Sequence, residues 1–256
     1  MKVLVKLGGA LVDTDSDRQS LAAQLAAESR KAKIVVVHGG GKQMTRFLAE
    51  RGIESKFVGG LRVTTPDVVD AVLKVFAGSV NHQLVSTLVA AGAAAVGLSG
   101  IDASLAEAVQ LRPELGAVGK VVRSNPAVLN TLVDAGFLPV VACVAGDRAG
   151  NVYNVNADLM AVACAAAYQA DSLLFLTDVD GVRGGDSQVL PRLTVAETEK
   201  LIADGVATGG MQAKLNAARE ALEGGVGQVI IAPGAAPNVI ARLLAGEPLG
   251  TRMVLA

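Results

Sequence analysis

The sequence has no tryptophan, and it has only two tyrosines and five phenylalanines among its 256 residues. Its formal net charge is −1 at neutral pH, so no excess of basic residues is present either. Proteins that bind nucleic acid usually present a basic surface, often with aromatic side chains on which bases stack. We therefore expect no nucleic-acid partner, and we expect the ligands to be small molecules.

Long hydrophobic runs are also missing, although 51% of the residues are hydrophobic. None approaches the roughly eighteen consecutive apolar residues that a membrane-spanning helix needs. Lys2 and Lys6 flank the first apolar stretch, and glycines follow it at once, which argues against a secretory signal. The sequence therefore predicts a cytoplasmic protein that makes no contact with a membrane.

Histidine and cysteine each occur only twice. His38 and His82 are too few and too far apart to predict a transition-metal cluster. Cys143 and Cys164 are surrounded by alanine and valine, which is the usual environment of a buried free thiol. We expect no metal site built from protein side chains, so any metal should arrive bound to a phosphate.

Short strands rich in valine, isoleucine and leucine alternate with helical periodicity along the chain. This pattern predicts an α/β fold, an αβα sandwich with a largely parallel central sheet. The predicted strands are 3–7, 34–38, 94–98, 138–142, 173–177 and 228–232. The predicted helices are 16–30, 42–51, 66–76, 81–91, 125–135, 156–168, 194–204 and 211–223. Two closely joined lobes are expected, with residues 1–171 in the first and 172–256 in the second.

Two of the predicted strands run directly into glycines. Lys6 and Leu7 precede Gly8 and Gly9, and His38 precedes the triplet that begins at Gly39. Ligands of open α/β sheets lie beyond the carboxyl ends of the strands, where glycines let a phosphate approach the backbone closely. We therefore predict a phosphate site; the less favoured alternative is that the triplet is only a flexible turn.

Known phosphate-binding motifs do not account for these glycines. The P-loop spacing fails because Val36 occupies the first glycine position and Gln43 follows Lys42. A Gly-x-Gly-x-x-Gly motif with an acidic residue about twenty positions later is also absent, which argues against a dinucleotide-dependent dehydrogenase.

Several polar residues near these strands have both a functional and a structural interpretation. Lys6 in an apolar strand and Lys214 in the first turn of a predicted helix suggest an anionic ligand, but either could be a solvated lysine. Asp178 follows a third strand and could accept hydrogen bonds from a nucleotide or form an ordinary Asp-Gly turn. Asn156 is a candidate helix cap, and capping alone would also account for Asp158 in the first turn.

Six ordered motifs together resemble those of the amino acid kinase family. They are Lys6–Gly9, His38–Gly41, Gly60–Thr64, Asn154–Asp158, Thr177–Gly181 and Gly209–Lys214. The resemblance extends from the first strand to Arg252. It implies that the γ-phosphoryl group of ATP is transferred to the side-chain carboxylate of N-acetyl-L-glutamate, which is the second step of arginine biosynthesis. Mg²⁺ would enter the site bound to ATP.

The resemblance also implies a role for particular residues. Lys6 and Lys214 would stabilise the transferring phosphoryl group, Asp158 would orient both lysines, and the N–H groups of Gly9 and Gly40 would donate to that phosphoryl group. The acyl-amino acid would be held by Gly40, Gly41, Arg62 and Asn154. The ATP site would include both lysines and be lined by Thr177, Asp178, Val179, Asp180, Gly181, Val206, Ala207 and Thr208.

The implied chemistry agrees with elementary considerations. A glutamate carboxylate, with an ordinary pKa of about 4.3, is already ionised at neutral pH, so no general base is required. Catalysis then reduces to alignment and to neutralisation of phosphoryl charge, for which two lysines, glycine N–H groups and Mg²⁺ suffice. The planar guanidinium of Arg62 can bind an α-carboxylate through two hydrogen bonds.

Two alternatives remain open from the sequence. One is a carboxylate kinase of the aminoadipate type from lysine biosynthesis, and the other is a non-catalytic nucleotide or amino-acid sensor with the same fold. The chain begins almost at its first strand, without the N-terminal helix with which family members build arginine-inhibited hexamers. We therefore expect a homodimer that is insensitive to arginine and is paired through the apolar helix at 68–76.

Overall fold

An eight-stranded sheet forms the centre of the structure, a computed structural model that describes residues 1–256. The strands are β1 Lys2–Leu7, β2 Lys33–His38, β3 Phe57–Val58, β4 Leu61–Arg62, β5 Ala95–Ser99, β6 Ala106–Gln110, β7 Gly119–Ser124, β8 Leu138–Ala142, β9 Val144–Gly146, β10 Val152–Asn154, β11 Ser172–Thr177, β12 Arg192–Thr194, β13 Gln228–Pro233 and β14 Thr251–Val254. The helices are α1 Asp15–Glu28, α2 Gly41–Ala49, α3 Pro66–Val72, α4 Asn81–Ala90, α5 Ala127–Asp134, α6 Ala157–Tyr168, α7 Val195–Ala203, α8 Gly209–Glu223 and α9 Val239–Leu244. The π-helical segment Leu73–Val80 joins α3 to α4.

The strand order in the large sheet is β12-β14-β13-β11-β1-β2-β8-β5. All pairs from β13 to β5 are parallel, β14 is antiparallel to β13, and β12 is parallel to β14, so the two strands β12 and β14 run opposite to the other six. Consecutive residues of β1 and β2 are buried, and because successive side chains point to opposite faces, both faces of the sheet are covered. The predicted fold class is confirmed, and the carboxyl ends of β1, β2 and β11 meet at one edge.

All six predicted strands are present, with bounds shifted by at most one residue. Eight further strands were not predicted, and they include the whole four-stranded sheet β10-β9-β6-β7 and the hairpin of β3 and β4. Six of these strands have at most four residues, and the two longer ones, β6 and β7, are only partly buried. The apolar runs that identify a buried parallel strand are therefore missing from them.

The prediction of separate helices at 66–76 and 81–91 is wrong. The structure has one continuous helical stretch from Pro66 to Ala90, in which the π-helical segment spans Gly78 and Ser79. Glycine followed by serine indicates a helix end in sequence, but here the wider turn accommodates both residues. The segment ends directly before α4, in which Asn81, Leu84 and Leu88 are buried.

The boundary expected after residue 171 lies between α6 and β11. Strands β1 and β11, from opposite sides of this boundary, pair in parallel over five residue pairs, so one sheet continues through both parts of the chain. The division into two lobes stays a prediction. None of the helices has the length and apolar composition needed to cross a bilayer.

Both cysteines are buried and free, as predicted. Burial raises the pKa of the Cys143 thiol and of the Cys164 thiol to about 12. Because the thiolate is the nucleophilic form, neither residue is a reactive cysteine at neutral pH.

Candidate active site

Asp158 lies between two lysines that come from distant parts of the chain. Its Oδ1 atom is 2.6 Å from Lys6 Nζ, and its Oδ2 atom is 3.0 Å from Lys214 Nζ. Lys6 is on β1, Asp158 is in the first turn of α6, and Lys214 is on α8. The two lysines that the sequence singled out therefore meet at one carboxylate.

This cluster is largely removed from solvent, because Lys6 is only 7% exposed and Asp158 only 9%. Burial by itself would raise the pKa of Asp158, but the two lysines outweigh burial and hold that pKa below its ordinary value. Two ammonium groups and one carboxylate leave one positive charge uncompensated. A buried excess charge is costly, so the cluster is suited to receive an anion.

The N-terminus of α6 positions Asp158. The side chain of Asn156 accepts hydrogen bonds from the N–H groups of Asp158, at 2.9 Å, and Leu159, at 3.3 Å. The predicted cap is confirmed, and it accompanies the ionic contacts of Asp158 rather than replacing them. The prediction that Lys214 lies in the first turn of its helix is wrong, because α8 already begins at Gly209. The helix dipole therefore acts only weakly on Lys214.

A cavity of about 680 Å³ opens beside the two lysines. It is lined by Lys6, Lys214, Gly8, Gly9, Thr177 and Asp178, among others. The carboxyl ends of β1 and β11 contribute to it, as expected for a ligand site at this edge of a parallel sheet. We call it the large cavity.

A smaller cavity of about 170 Å³ adjoins the large one and shares Gly41, Phe57 and Arg62 with it. Gly40 and Asn154 also line the smaller cavity. All four residues predicted to hold the acyl-amino acid are therefore brought together here, next to the lysine cluster. Asn154 is held in place by its own hydrogen bond, which its Nδ2 donates to Thr64 Oγ1 at 3.0 Å.

Arg62 is a buried cation without a carboxylate partner. It is 9% exposed, and its Nη2 donates to Thr45 Oγ1 at 2.9 Å and to the Gly41 carbonyl at 3.2 Å, while its Nη1 donates to Ser55 Oγ. The guanidinium also stacks on the ring of Phe57, 4.6 Å from the ring centre. Burial lowers the pKa of Arg62. Because only neutral groups contact it, an anionic ligand would supply the missing charge.

Where the cavities meet, the packing leaves little room for a side chain on Gly40, and Gly9 leaves open space. A Cβ atom on Gly40 would lie 3.0 Å from Phe76 Cδ1 and 3.2 Å from Val80 Cγ2, so a side chain would force this packing apart. A Cβ on Gly9 would point at the nitrogens of Gly41 and Gly40, at 3.5 and 4.0 Å. Because Gly9 has no side chain, an anion could occupy this position and accept hydrogen bonds from the N–H groups of Gly40 and Gly41.

The residues predicted for the nucleotide divide into two groups. Thr177 and Asp178 line the large cavity, and Thr177 Oγ1 donates to Asp178 Oδ1 at 3.1 Å. The structure does not bring the others to either cavity; these are Val179, Asp180, Gly181, Val206, Ala207 and Thr208. Gly181 has a separate reason to be glycine, because its φ is +152° and a Cβ would lie 2.7 Å from Val189 Cγ1.

His38 has a place in this site that sequence reasoning missed. The side chain is fully buried, with Nδ1 2.7 Å from the Gly39 carbonyl oxygen and Nε2 3.0 Å from Asn81 Nδ2. Burial lowers the pKa of His38 to about 4. The only signal in the sequence was its position directly before the glycine triplet.

The buried His38 predicts a pH dependence of stability. Its folded-state pKa, about 4, lies below the ordinary value of 6.5, so the unfolded chain binds a proton in this range and the folded chain does not. Unfolding free energy should therefore fall by up to about 3 kcal/mol as the pH drops from 6.5 to 4. Urea unfolding at several pH values measures this, and His38→Asn should flatten the slope while His82→Asn, at an exposed site, should not. Equal slopes in both variants would contradict it.

No group of three or more histidine, cysteine, aspartate or glutamate side chains is arranged to hold a metal ion. The cations of the large cavity are instead suited to a phosphate chain.

Known proteins resemble this chain in both sequence and fold. Residues 1–233 match the amino acid kinase family. A protein named acetylglutamate kinase from Solibacter usitatus is 65% identical, with the whole of both chains covered, and one of the same name from Acidobacterium capsulatum is 43% identical, again over both full lengths. An N-acetylglutamate synthase from Neisseria gonorrhoeae, solved with coenzyme A and N-acetyl-glutamate, superimposes with a TM-score of 0.88 at 24% identity. That comparison covers all of this chain but 59% of the synthase and shows a common fold.

Proposed function

The chain belongs to the amino acid kinase family, and from this premise we propose that it phosphorylates the side-chain carboxylate of N-acetyl-L-glutamate with ATP, giving N-acetyl-L-glutamyl 5-phosphate. Two full-length relatives named acetylglutamate kinase support the substrate. The observation that carries the proposal is the positively charged cluster of Lys6, Asp158 and Lys214, whose two lysines line the large cavity. In this role the protein performs the second step of arginine biosynthesis, in the cytoplasm.

The large cavity suits a nucleoside triphosphate. Its volume, its lysines and the free space beside Gly9 suit a polyphosphate, and Asp178 at its edge can accept a hydrogen bond from a nucleotide. ATP supplies the phosphoryl group, and Mg²⁺ bound to it neutralises part of the phosphate charge. We propose that Mg²⁺ enters with the nucleotide, because the protein offers no side-chain cluster of its own to hold it.

Lys6 and Lys214 act on the phosphoryl oxygens. Because both ammonium groups are fixed by Asp158, they are oriented before the substrates arrive and lose little freedom on binding. The N–H groups of Gly9 and Gly40 donate to the same oxygens. No residue removes a proton, because the attacking carboxylate is already ionised at neutral pH.

The smaller cavity holds the acyl-amino acid. Arg62 binds the α-carboxylate, since a buried guanidinium without an acidic partner gains most from a carboxylate ligand. Asn154 and the N–H of Gly41 contact the acylamino group. The side-chain carboxylate then points through the shared opening towards the lysines.

Arg62→Lys is expected to raise the KM for N-acetyl-L-glutamate at least about tenfold, with a smaller change in kcat. Lysine keeps the charge but cannot reproduce the forked contacts with Thr45, Ser55 and a carboxylate. Steady-state kinetics with each substrate varied in turn measure the effect. Arg51→Lys, at an exposed arginine stacked on Phe47, is the control. A KM unchanged from wild type would exclude Arg62 from substrate binding.

The reaction itself is tested by trapping the acyl phosphate with hydroxylamine. The protein is incubated with ATP, Mg²⁺ and either N-acetyl-L-glutamate or N-acetyl-L-aminoadipate. We expect the hydroxamate with N-acetyl-L-glutamate and much less with the longer acid. Preference for aminoadipate would favour the lysine-biosynthesis alternative, and nucleotide binding without any hydroxamate would favour a sensor.

A homodimer insensitive to arginine stays a prediction. In the stretch 68–76, which was expected to pair the subunits, Val68, Val72, Val75 and Phe76 are buried in the hydrophobic core of the same chain. Leu73 is 38% exposed and remains available for a subunit contact. Light scattering should give twice the chain mass of 25.9 kDa, and a hexamer would contradict the prediction.

A further inference from the structure

A chain of buried polar contacts connects the core of the sheet to the glycine triplet. Asn81 on α4 donates from Nδ2 to the Val140 carbonyl at 2.9 Å and contacts His38 Nε2 at 3.0 Å. His38 in turn contacts the Gly39 carbonyl through Nδ1 at 2.7 Å. Asn81 is 1% exposed and His38 is fully buried, so no solvent competes with these contacts.

The orientation of the Asn81 amide follows from its neighbours. Its nitrogen faces two backbone carbonyls, of Val140 and, at 3.5 Å, of Leu98, which can only accept hydrogen bonds. A reversed amide would place its oxygen against these carbonyl oxygens, so the NH₂ group must lie on this side.

The position of the proton on His38 follows in turn. Asn81 Nδ2 donates to Nε2, so Nε2 carries no proton, and in the neutral ring Nδ1 carries it. Nδ1 therefore donates to the Gly39 carbonyl. Burial lowers the pKa of His38 to about 4, which keeps the ring neutral under physiological conditions.

This bond orients the peptide group that joins Gly39 to Gly40. In a trans peptide the C=O and N–H bonds point in opposite directions. When His38 draws the Gly39 carbonyl into the core, the Gly40 N–H turns away from His38. That N–H donates to no acceptor within the protein, and its nitrogen lies 4.0 Å from the empty Cβ position of Gly9 at the junction of the cavities.

Residues next to Asn81 and Gly40 pack closely against them. Gly97 on β5 must lack a side chain, because a Cβ there would collide with Asn81 Oδ1. The helical stretch that carries Asn81 also supplies Phe76 and Val80, which pack against Gly40. The π-helical segment Leu73–Val80 includes those two residues and ends directly before Asn81.

We propose that His38 is a positioning residue of the phosphoryl-transfer site: its Nδ1–H, set by Asn81, holds the Gly39–Gly40 peptide so that the Gly40 N–H donates to an anionic oxygen of the reacting group. This inference rests on the proposed function. A histidine that merely fills the core would need neither a particular tautomer nor a particular direction of the Gly40 N–H.

Two variants separate these roles. In His38→Asn the side-chain amide occupies the place of Nδ1 and can still donate to the Gly39 carbonyl. In His38→Gln the amide reaches the place of Nε2 and leaves that carbonyl without a donor. We expect kcat of His38→Gln to be about 100-fold below that of His38→Asn, the usual effect of losing one oriented donor, although both lose similar stability. Equal kcat values for the two variants would overturn the proposal.

A measurement on the unmodified side chain needs neither variant to fold. Nitrogen NMR of histidine-labelled protein, with His82→Asn to identify the remaining ring, should show His38 protonated on Nδ1. A proton on Nε2 would overturn the proposal. If the wild type forms no hydroxamate, the proposed function fails, whereas the NMR result still decides the tautomer of His38 independently of activity.

Discussion

Lys214→Ala is expected to lower kcat by about 10³-fold, comparable to the loss of a principal charge-stabilising group in other enzymes. The reason is the charge of the cluster. Without Lys214, Lys6 and Asp158 form a pair with no net charge, and the uncompensated positive charge that faces the transferring phosphoryl group disappears. Folding should change little, because the Lys214 side chain is the most exposed of the three.

The hydroxamate assay measures this effect, and thermal unfolding shows whether the variant is folded. Lys200→Ala is the matched control, because it removes an exposed lysine from the neighbouring α7. Near-normal turnover of Lys214→Ala would contradict the role of the lysine pair and favour the sensor alternative. A loss that appears equally in the control would point to a non-specific effect of charge.

Asp158→Asn is expected to lower kcat by about 10²-fold and to destabilise the protein by about 3 kcal/mol. The change leaves two ammonium groups close together without their shared counter-ion, and Lys6 is almost completely buried. The extra positive charge should still attract nucleotide, so the KM for ATP should not rise while kcat falls. A lower kcat with an unchanged KM for ATP would show that the lysines have lost their orientation and that the protein still binds nucleotide.

Urea unfolding and steady-state kinetics test the Asp158 prediction together. Because the pKa of Asp158 is held below its ordinary value, the wild type should lose this part of its stability as the pH falls below about 4, and Asp158→Asn should lack that loss. Asp134→Asn, at the exposed pair with Lys33, is the control and should change neither property noticeably. A fully active and fully stable Asp158→Asn would contradict the proposed cluster.

The parts of the fold that sequence predicted are those with a strong local pattern. The apolar run of β1 and the glycines after it identified both a buried strand and the end of it that lines the large cavity, and Lys6 stood out because an ammonium group interrupts that run. The second sheet had no such pattern, because strands such as β7 expose Lys120 and Arg123. Its place depends on tertiary contacts that no short window contains.

The site was predictable where a charged side chain falls in an apolar or glycine-rich segment. Charged residues are rarely buried without a partner, so Lys6 in an apolar strand was informative by itself, whereas the roles of Asp158 and Arg62 followed only from the resemblance to the amino acid kinase family. His38 and Asn81 were not recognised as a pair, because they lie 43 positions apart and their contact depends on how the continuous helical stretch, with its π-helical segment, packs on the sheet. The geometry of that segment cannot be read from residues that favour a helix end.

The most direct test is a crystal structure of the protein with N-acetyl-L-glutamate, ADP, Mg²⁺ and tetrafluoroaluminate, which mimics the transferring phosphoryl group. We predict that the Nζ atoms of Lys6 and Lys214 both lie within hydrogen-bonding distance of the aluminium fluoride, with Asp158 still between them and Arg62 on the α-carboxylate. Fluoride ligands bound elsewhere, or contacted by neither lysine, would contradict the assignment of this cluster to phosphoryl transfer.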